Sequence, residues 1–267
     1  MNLHTAQLIS LIYNYNEYKK SGAIPPGYLD SMVFENCETV GYILLRNYVN
    51  RVGLDGEIAA ANPIRWFKFL EKEDCIKLSL HYRLPEAAPA NEIQTPVALR
   101  GTLFIEAIYK SYSNFWFQRW FKQTNSSGEE SGDVRYFLAY RFEETIDEKV
   151  DLQRAKKRLH DVLKRCISHA ADNDFLKWAD IFSIAFNTLD SPQPQSVLKE
   201  GLLKNEASSL PVRQVLYATL LAFIGHEEDL WKIKFRKPEN TAALKALMEE
   251  FYGALIESIL AVANNRI

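Results

Sequence analysis

Three segments in the middle of the chain alternate between apolar residues and polar or charged ones. They are Ile76–Arg83, Val97–Lys110 and Val134–Glu143. Because successive side chains of a β-strand point to opposite faces, this alternation predicts three strands, each with one face toward a core. The other faces carry many more bases than acids, namely Lys77, His81, Arg83, Arg100, Lys110, Arg135 and Arg141 against Glu106 and Glu143. Strands that share a sheet would therefore form a local basic surface.

The composition is that of an ordinary globular protein. The 267 residues are 47% hydrophobic and 25% charged, enough for one large domain or two modest ones. The formal net charge of −2 argues against a protein that coats a polyanion, so an anion site would be a local patch. The N-terminal residues lack the pattern of a signal peptide, and no apolar run reaches the length of a membrane span. We therefore expect a cytoplasmic protein without membrane association.

The cysteines give no sign of a metal site or a disulfide framework. Cys37, Cys75 and Cys166 are far apart in the chain and form no CxxC pair. No histidine cluster has the spacing of metal ligands. We predict three reduced, mostly buried thiols and neither a metal nor another cofactor.

The elements around these strands are predicted from apolar periodicity and turn residues. Helical spacing indicates helices over Thr5–Tyr18 and roughly Leu29–Val52. Ile64–Leu70 is ambiguous between a strand and a helix end, and the aromatic run Phe115–Lys122 is predicted to be a strand. Gln123–Asp133 is polar and rich in glycine and serine, which indicates a hairpin loop.

From Thr145 onward the apolar period is that of helices. The predicted helices cover Leu152–Ala170, Phe175–Leu189, Ser196–Lys204, Pro211–Ile224 and Thr241–Ala263, and Trp231–Lys237 repeats the basic alternation as a further edge strand. The fold prediction is α+β, with an antiparallel sheet of four to six strands over about 64–142 between N-terminal helices and a C-terminal helical segment. We assign 1–144 to the first domain and 145–267 to a mainly helical one packed with it into one compact unit.

The basic strand faces are the first candidate site. Lysine and arginine bind phosphate, arginine with a bidentate fork, and aromatic rings stack on the bases of single strands. The anion-binding candidates are Lys77, His81, Arg83, Arg100, Arg135 and Arg141. The candidates for stacking or partner contact are Phe104, Trp116, Trp120 and Phe137. The alternative is that the bases are solvated or paired with acids of a covering helix, and that the aromatic strand is buried on both faces.

No residue is predicted to be catalytic. Cys166 and His169 lie on one face of a predicted helix, but Cys166 falls on its apolar stripe and is expected in the core. Ser196 and Lys199 match the serine–lysine pattern of penicillin-recognising enzymes without its partner motifs. The chain contains neither a phosphate-cradling glycine loop nor an HExxH sequence.

Three functions remain open at this point. The first is a non-enzymatic protein that binds single-stranded nucleic acid or a nucleotide on the basic, aromatic-bearing sheet face. The second is a protein–protein adaptor, or a subunit of a complex, that uses the aromatic strand and the helical half. The third is an enzyme whose site is assembled from residues scattered along the sequence. Binding that weakens steeply with salt distinguishes the first from the second, since phosphate contacts release counterions.

Overall fold

The computed structural model describes residues 3–34, 37–45, 56–84, 101–124, 130–142, 150–194, 208–223 and 238–265. The chain divides into two compact units. The sheet unit comprises Gln7–His81 and Leu103–Glu148, and the helical unit comprises Met1–Ala6, Tyr82–Thr102 and Lys149–Ile267. The division of the chain into domains at residue 144 stays a prediction.

Six strands form one mixed sheet. They are β1 (Cys37–Leu45), β2 (Gly56–Ala60), β3 (Lys77–Arg83), β4 (Thr102–Ile108), β5 (Ser113–Thr124) and β6 (Glu130–Phe142). Their order across the sheet is β2-β1-β6-β5-β4-β3. The α+β class is confirmed, whereas the prediction of a purely antiparallel sheet is wrong, because β1 runs parallel to β6. The pairs β1–β2, β4–β5 and β5–β6 are antiparallel.

Six α-helices lie within the described residues. They are α1 (Leu3–Ser21), α2 (Pro63–Lys72), α3 (Leu152–Asp172), α4 (Leu176–Thr188), α5 (Leu210–Phe223) and α6 (Pro238–Asn264). The ambiguous segment at Ile64 is thus helical, and its start explains why. The side chain of Asn62 accepts a hydrogen bond from the Arg65 backbone N–H at 2.9 Å, and Pro63 occupies the first turn. The predicted elements at Ser196–Lys204 and Trp231–Lys237 lie outside the described residues.

The predicted helix Leu29–Val52 is wrong. The chain instead forms two short 3₁₀ turns, Tyr28–Asp30 and Met32–Phe34, and then enters β1. Within β1, Val40 and Tyr42 are buried, whereas Thr39 is exposed and Gly41 half-buried. This is the period of a strand, and a β-branched residue beside a glycine is unfavourable in a helix interior.

The hairpin between β5 and β6 is longer than predicted. The pairing continues to Thr124 opposite Glu130, so both ends of the predicted loop Gln123–Asp133 belong to the strands. Polar residues can extend a hairpin in this way because the ladder is made by backbone groups. Residues 125–129 of that loop lie outside the described residues.

The inner face of the sheet packs against α1 and α2. The ring of Tyr42 stacks between Trp66 of α2, at 4.3 Å between centroids, and Tyr136 of β6, at 5.0 Å. Gln7 of α1 accepts hydrogen bonds through Oε1 from the Tyr136 hydroxyl at 2.7 Å and from Gln118 Nε2 at 2.6 Å. This side of the sheet is therefore a core in which the buried polar groups of Gln7 and Tyr136 have partners.

Candidate binding surface on the sheet

The register of the strands decides which side chains share a face. Residues directly opposite each other on paired strands point to the same side. Phe117 lies opposite both Phe104 and Phe137, and Arg119 lies opposite Arg135. This second side of the sheet, here called the basic face, also carries Glu106 of β4, opposite Phe115, and His81 of β3.

Two predicted stacking residues lie on the opposite side of the sheet from Arg119 and Arg135. Trp116 lies opposite Leu138, and Trp120 lies opposite Val134, so both belong to the inner face. Trp116 is fully buried, with its ring centroid 5.5 Å from that of Trp66. Trp120 is half-buried. Trp116 therefore has no surface on which a base could stack.

One half of the basic face is buried, but the acid that pairs there comes from strand β4 and not from a covering helix. His81 Nε2 lies 2.6 Å from Glu106 Oε2, and the exposed fractions of the two side chains are 3% and 0%. The imidazole stacks on Phe104, with 5.6 Å between ring centroids. Phe137 is also fully buried and stacks on Phe117 at 5.4 Å. His81 and Phe137 thus lack the accessible surface that a direct partner contact requires.

The other half of the basic face, on the β5–β6 hairpin, is accessible. Arg119 is exposed, and 42% of the Arg135 side chain is exposed. The guanidinium carbon of Arg135 lies 4.8 Å from the centre of the Phe121 ring, and that of Arg119 lies 5.6 Å from the Phe117 ring. Each arginine therefore has a cation–π contact with an aromatic residue of β5. We call Phe117, Arg119, Phe121 and Arg135 the hairpin strip.

Asp133 is the acid beside this strip. Its Oδ2 lies 3.6 Å from the Arg135 guanidinium, and its Oδ1 accepts a hydrogen bond from the Thr39 hydroxyl at 2.7 Å. Within the described residues Arg119 makes no ion pair. A pair of like charges directly across an antiparallel ladder is destabilising. The strip therefore retains an excess of positive charge that a bound anion would neutralise.

The remaining candidates lie apart from this strip or beyond what is described. Lys77 is half-buried at the start of β3, and Arg83 is exposed at its end. Phe104 is half-buried beside His81. Arg100 and the side chain of Arg141 lie outside the described residues. The anion-binding roles of Lys77, Arg83, Arg100, Arg135 and Arg141 stay predictions.

Arg119, Phe117 and Phe121 of the hairpin strip were not among the predicted site residues. All three lie within the predicted strand Phe115–Lys122. Because aromatic residues alternate onto both faces of that strand, the sequence does not show which face is polar. Only the register of the hairpin with β6, which extends to Thr124 and Glu130, places Arg119 opposite Arg135.

The thiols are structural rather than poised for nucleophilic chemistry. Cys166 of α3 is buried, as its position on the apolar stripe of the predicted helix indicated. Burial raises the pKa of its thiol to about 12. Burial also raises the pKa of Cys75 to about 11. Cys37 is half-buried, and burial raises the pKa of its thiol, an effect opposed by a hydrogen bond from Gln7. A thiol must ionise before it can attack, so none of these environments favours a nucleophile.

We expect Cys37 to be the first thiol to react with Ellman's reagent in the native protein. With a pKa of about 12, only about one Cys166 thiol in ten thousand is ionised at pH 8, and burial also blocks the reagent. Cys75 and Cys166 should react only in denaturant, and Cys37→Ser should abolish the native reaction. Rapid native labelling of Cys166 would contradict this and would reopen a catalytic interpretation.

Comparison with known proteins adds no functional information. The chain matches no protein-family model, no curated protein and no solved structure. Within the described part of the chain, none of the helices combines the length and the apolar character needed to cross a membrane. Among the same residues, no three His, Cys, Asp or Glu side chains are grouped so that they could hold a metal ion. A function must therefore be inferred from the side chains themselves.

Proposed function

We propose that the protein is a non-enzymatic binding protein whose hairpin strip takes an anionic partner, namely single-stranded nucleic acid or a nucleotide. The observation that carries this proposal is the direct cross-strand pairing of Arg119 with Arg135 on an accessible part of the sheet. The two arginines are opposite each other in the ladder, and their guanidinium groups lie over Phe117 and Phe121, so each could contact a phosphate of one bound strand.

The aromatic residues of the strip favour nucleic acid over a simple inorganic anion. Phe117 and Phe121 flank Arg119 on the same face of β5, and both residues are half-buried. Proteins that bind single strands combine a basic track with rings on which bases stack. The strip is smaller than the surface that the sequence predicted, because His81, Trp116 and Phe137 are buried.

Neutralising both arginines of the strip tests this proposal. Arg119→Gln with Arg135→Gln should weaken binding to oligothymidylate or to a nucleotide at least tenfold, because two phosphate contacts are lost. The slope of the binding constant against salt, measured by fluorescence anisotropy between about 50 and about 200 mM, should also flatten. The unfolding free energy should change by about 1 kcal/mol at most, since exposed cation–π contacts contribute little.

The matched control is Arg65→Gln with Lys68→Gln, which removes the same charge from two exposed positions of α2. If both double variants weaken binding equally, the effect reflects net charge and not the strip. If the wild-type protein binds neither ligand in a salt-dependent way, the proposal is wrong.

An adaptor role is the second candidate, and one observation favours it. Strand β2 lies at the edge of the sheet, beyond β1, and its residue Ile58 is 69% exposed. An accessible edge strand with an exposed aliphatic side chain can pair with an extended segment of another protein. Such docking would be insensitive to salt, unlike binding at the hairpin strip.

A further inference from the structure

The helical unit contains a cavity of about 590 Å³ between α3 and α6. This volume lies within the range of small-molecule sites. Apolar side chains form much of its lining, namely Leu84, Val150, Ile256 and Leu260. Leu84 is 45% exposed, so an apolar ligand would cover a side chain that solvent now contacts. The cavity shares no residue with the hairpin strip.

Two arginines stand at this cavity on successive turns of α3. A terminal guanidinium nitrogen of Arg158 hydrogen-bonds Glu257 Oε2, and Arg154 Nε lies 3.6 Å from Glu257 Oε1. The Glu257 side chain is only 16% exposed, whereas that of Arg154 is 79% exposed. A guanidinium has five N–H donors, so one carboxylate leaves most donors of both groups available. Glu257 therefore positions the guanidinium groups of both arginines and leaves some of their N–H donors available to a ligand.

Two glycines leave room for the polar groups of the cavity. A Cβ at Gly253 of α6 would lie 3.2 Å from a terminal nitrogen of Arg158, which is closer than most side-chain contacts allow. A Cβ at Gly101 would overlap the ring of Tyr82, which also lines the cavity. Glycine inside a helix costs about 1 kcal/mol relative to alanine. At Gly253 the missing side chain leaves space beside the Arg158 guanidinium.

We infer that this cavity binds a small amphiphilic carboxylate, with its apolar body on the leucine, isoleucine and valine side chains and its carboxylate on Arg154 and Arg158. Arginine forks match carboxylates in a bidentate geometry. Asp151 also lines the cavity, but its carboxylate caps α3 through the Arg154 backbone N–H at 2.7 Å. Glu249 is the remaining acid of the lining. Because of these acids, a cationic amphiphile is the competing ligand that an experiment must test.

Displacement of the fluorescent sulfonate 1-anilinonaphthalene-8-sulfonate from the intact 267-residue chain tests this inference. The dye should bind saturably, and octanoate should displace it at least tenfold more effectively than octylamine of the same chain length. Arg154→Gln should weaken octanoate binding about tenfold. Lys164→Gln, at an exposed position of α3 outside the cavity, should leave it unchanged.

Filling the cavity is the complementary test. Gly253→Leu should abolish octanoate binding, whereas Ala246→Leu at an exposed position of the same helix should not. Thermal unfolding shows whether each variant is folded. If Gly253→Leu does not fold, the octanoate affinity of Arg154→Gln alone tests the inference. The inference is overturned if the dye does not bind saturably, if octylamine competes as well as octanoate, or if Arg154→Gln binds octanoate like the wild type.

Discussion

Replacing Trp116 with alanine is expected to lower the free energy of unfolding by about 3–5 kcal/mol, the usual cost of removing a large aromatic side chain from a core. Trp116 is fully buried on the inner face of the sheet, with its ring in edge-to-face contact with those of Trp66 and Tyr42. Its removal would leave a cavity among these rings. Urea denaturation followed by circular dichroism measures the loss.

Trp120→Ala is the matched control, because Trp120 lies on the same strand and the same face but is only half-buried. Its loss should cost about 1–2 kcal/mol, in the range of ordinary substitutions. A Trp116→Ala protein that is as stable as the wild type but binds oligothymidylate less tightly would contradict the structure. That result would support the predicted role of Trp116 in stacking or partner contact.

Alternation along the sequence predicted the strands and their faces where charges mark the polar side. His81 and Arg135 do share the basic face. Alternation predicts the face of the strand on which a side chain lies, but it does not predict whether other residues bury that side chain. His81 is 2% exposed and the Arg135 side chain 42% exposed. The difference arises because His81 is covered by other residues and contacts Glu106 of the neighbouring strand. The alternation within a single strand does not reveal such a partner.

Strand β1 was predicted as a helix in part because its pairing with β6 is remote in sequence. Strand β1 pairs in parallel with β6, where Tyr42 lies opposite Tyr136. Parallel neighbours need a long crossover connection, so there is no short turn to mark the pair. Val40, Leu44 and Tyr48 also fit helical spacing, which favoured the helix Leu29–Val52. The pairing of β1 with β6 and the burial of Tyr42 against Trp66 of α2 show that this segment is a strand.

Part of the candidate site could be predicted and part could not. Arg135 was identified, because Val134–Glu143 alternates cleanly. Arg119 was not, because the aromatic residues around it occupy both phases of β5. Phe115 and Trp116 are both buried, and a register irregularity falls between them. In a strand that buries residues on both faces, apolar and polar residues no longer alternate. The face of each polar residue can then be assigned only from the residues opposite it in the paired strands.

Removing Glu106 is expected to destabilise the protein by about 3 kcal/mol or more, because breaking a buried pair leaves a polar partner in a dry environment. The contact of 2.6 Å with His81 lies on the half of the basic face that is closed to solvent. Glu106→Ala should therefore lower the urea midpoint strongly, and Glu106→Gln, which can keep a hydrogen bond to the imidazole, should lower it less.

The matched comparison is Glu250→Ala, which removes the hydrogen-bonded partner of Arg165 from a pair that is 52% exposed on both sides. Exposed pairs contribute about 1 kcal/mol at most, so this variant should remain close to the wild type. Replacing both buried partners, as His81→Leu with Glu106→Met, should recover part of the stability lost in Glu106→Ala, because apolar residues of similar volume need no partner. If Glu106→Ala costs no more than Glu250→Ala, the His81–Glu106 contact does not stabilise the fold.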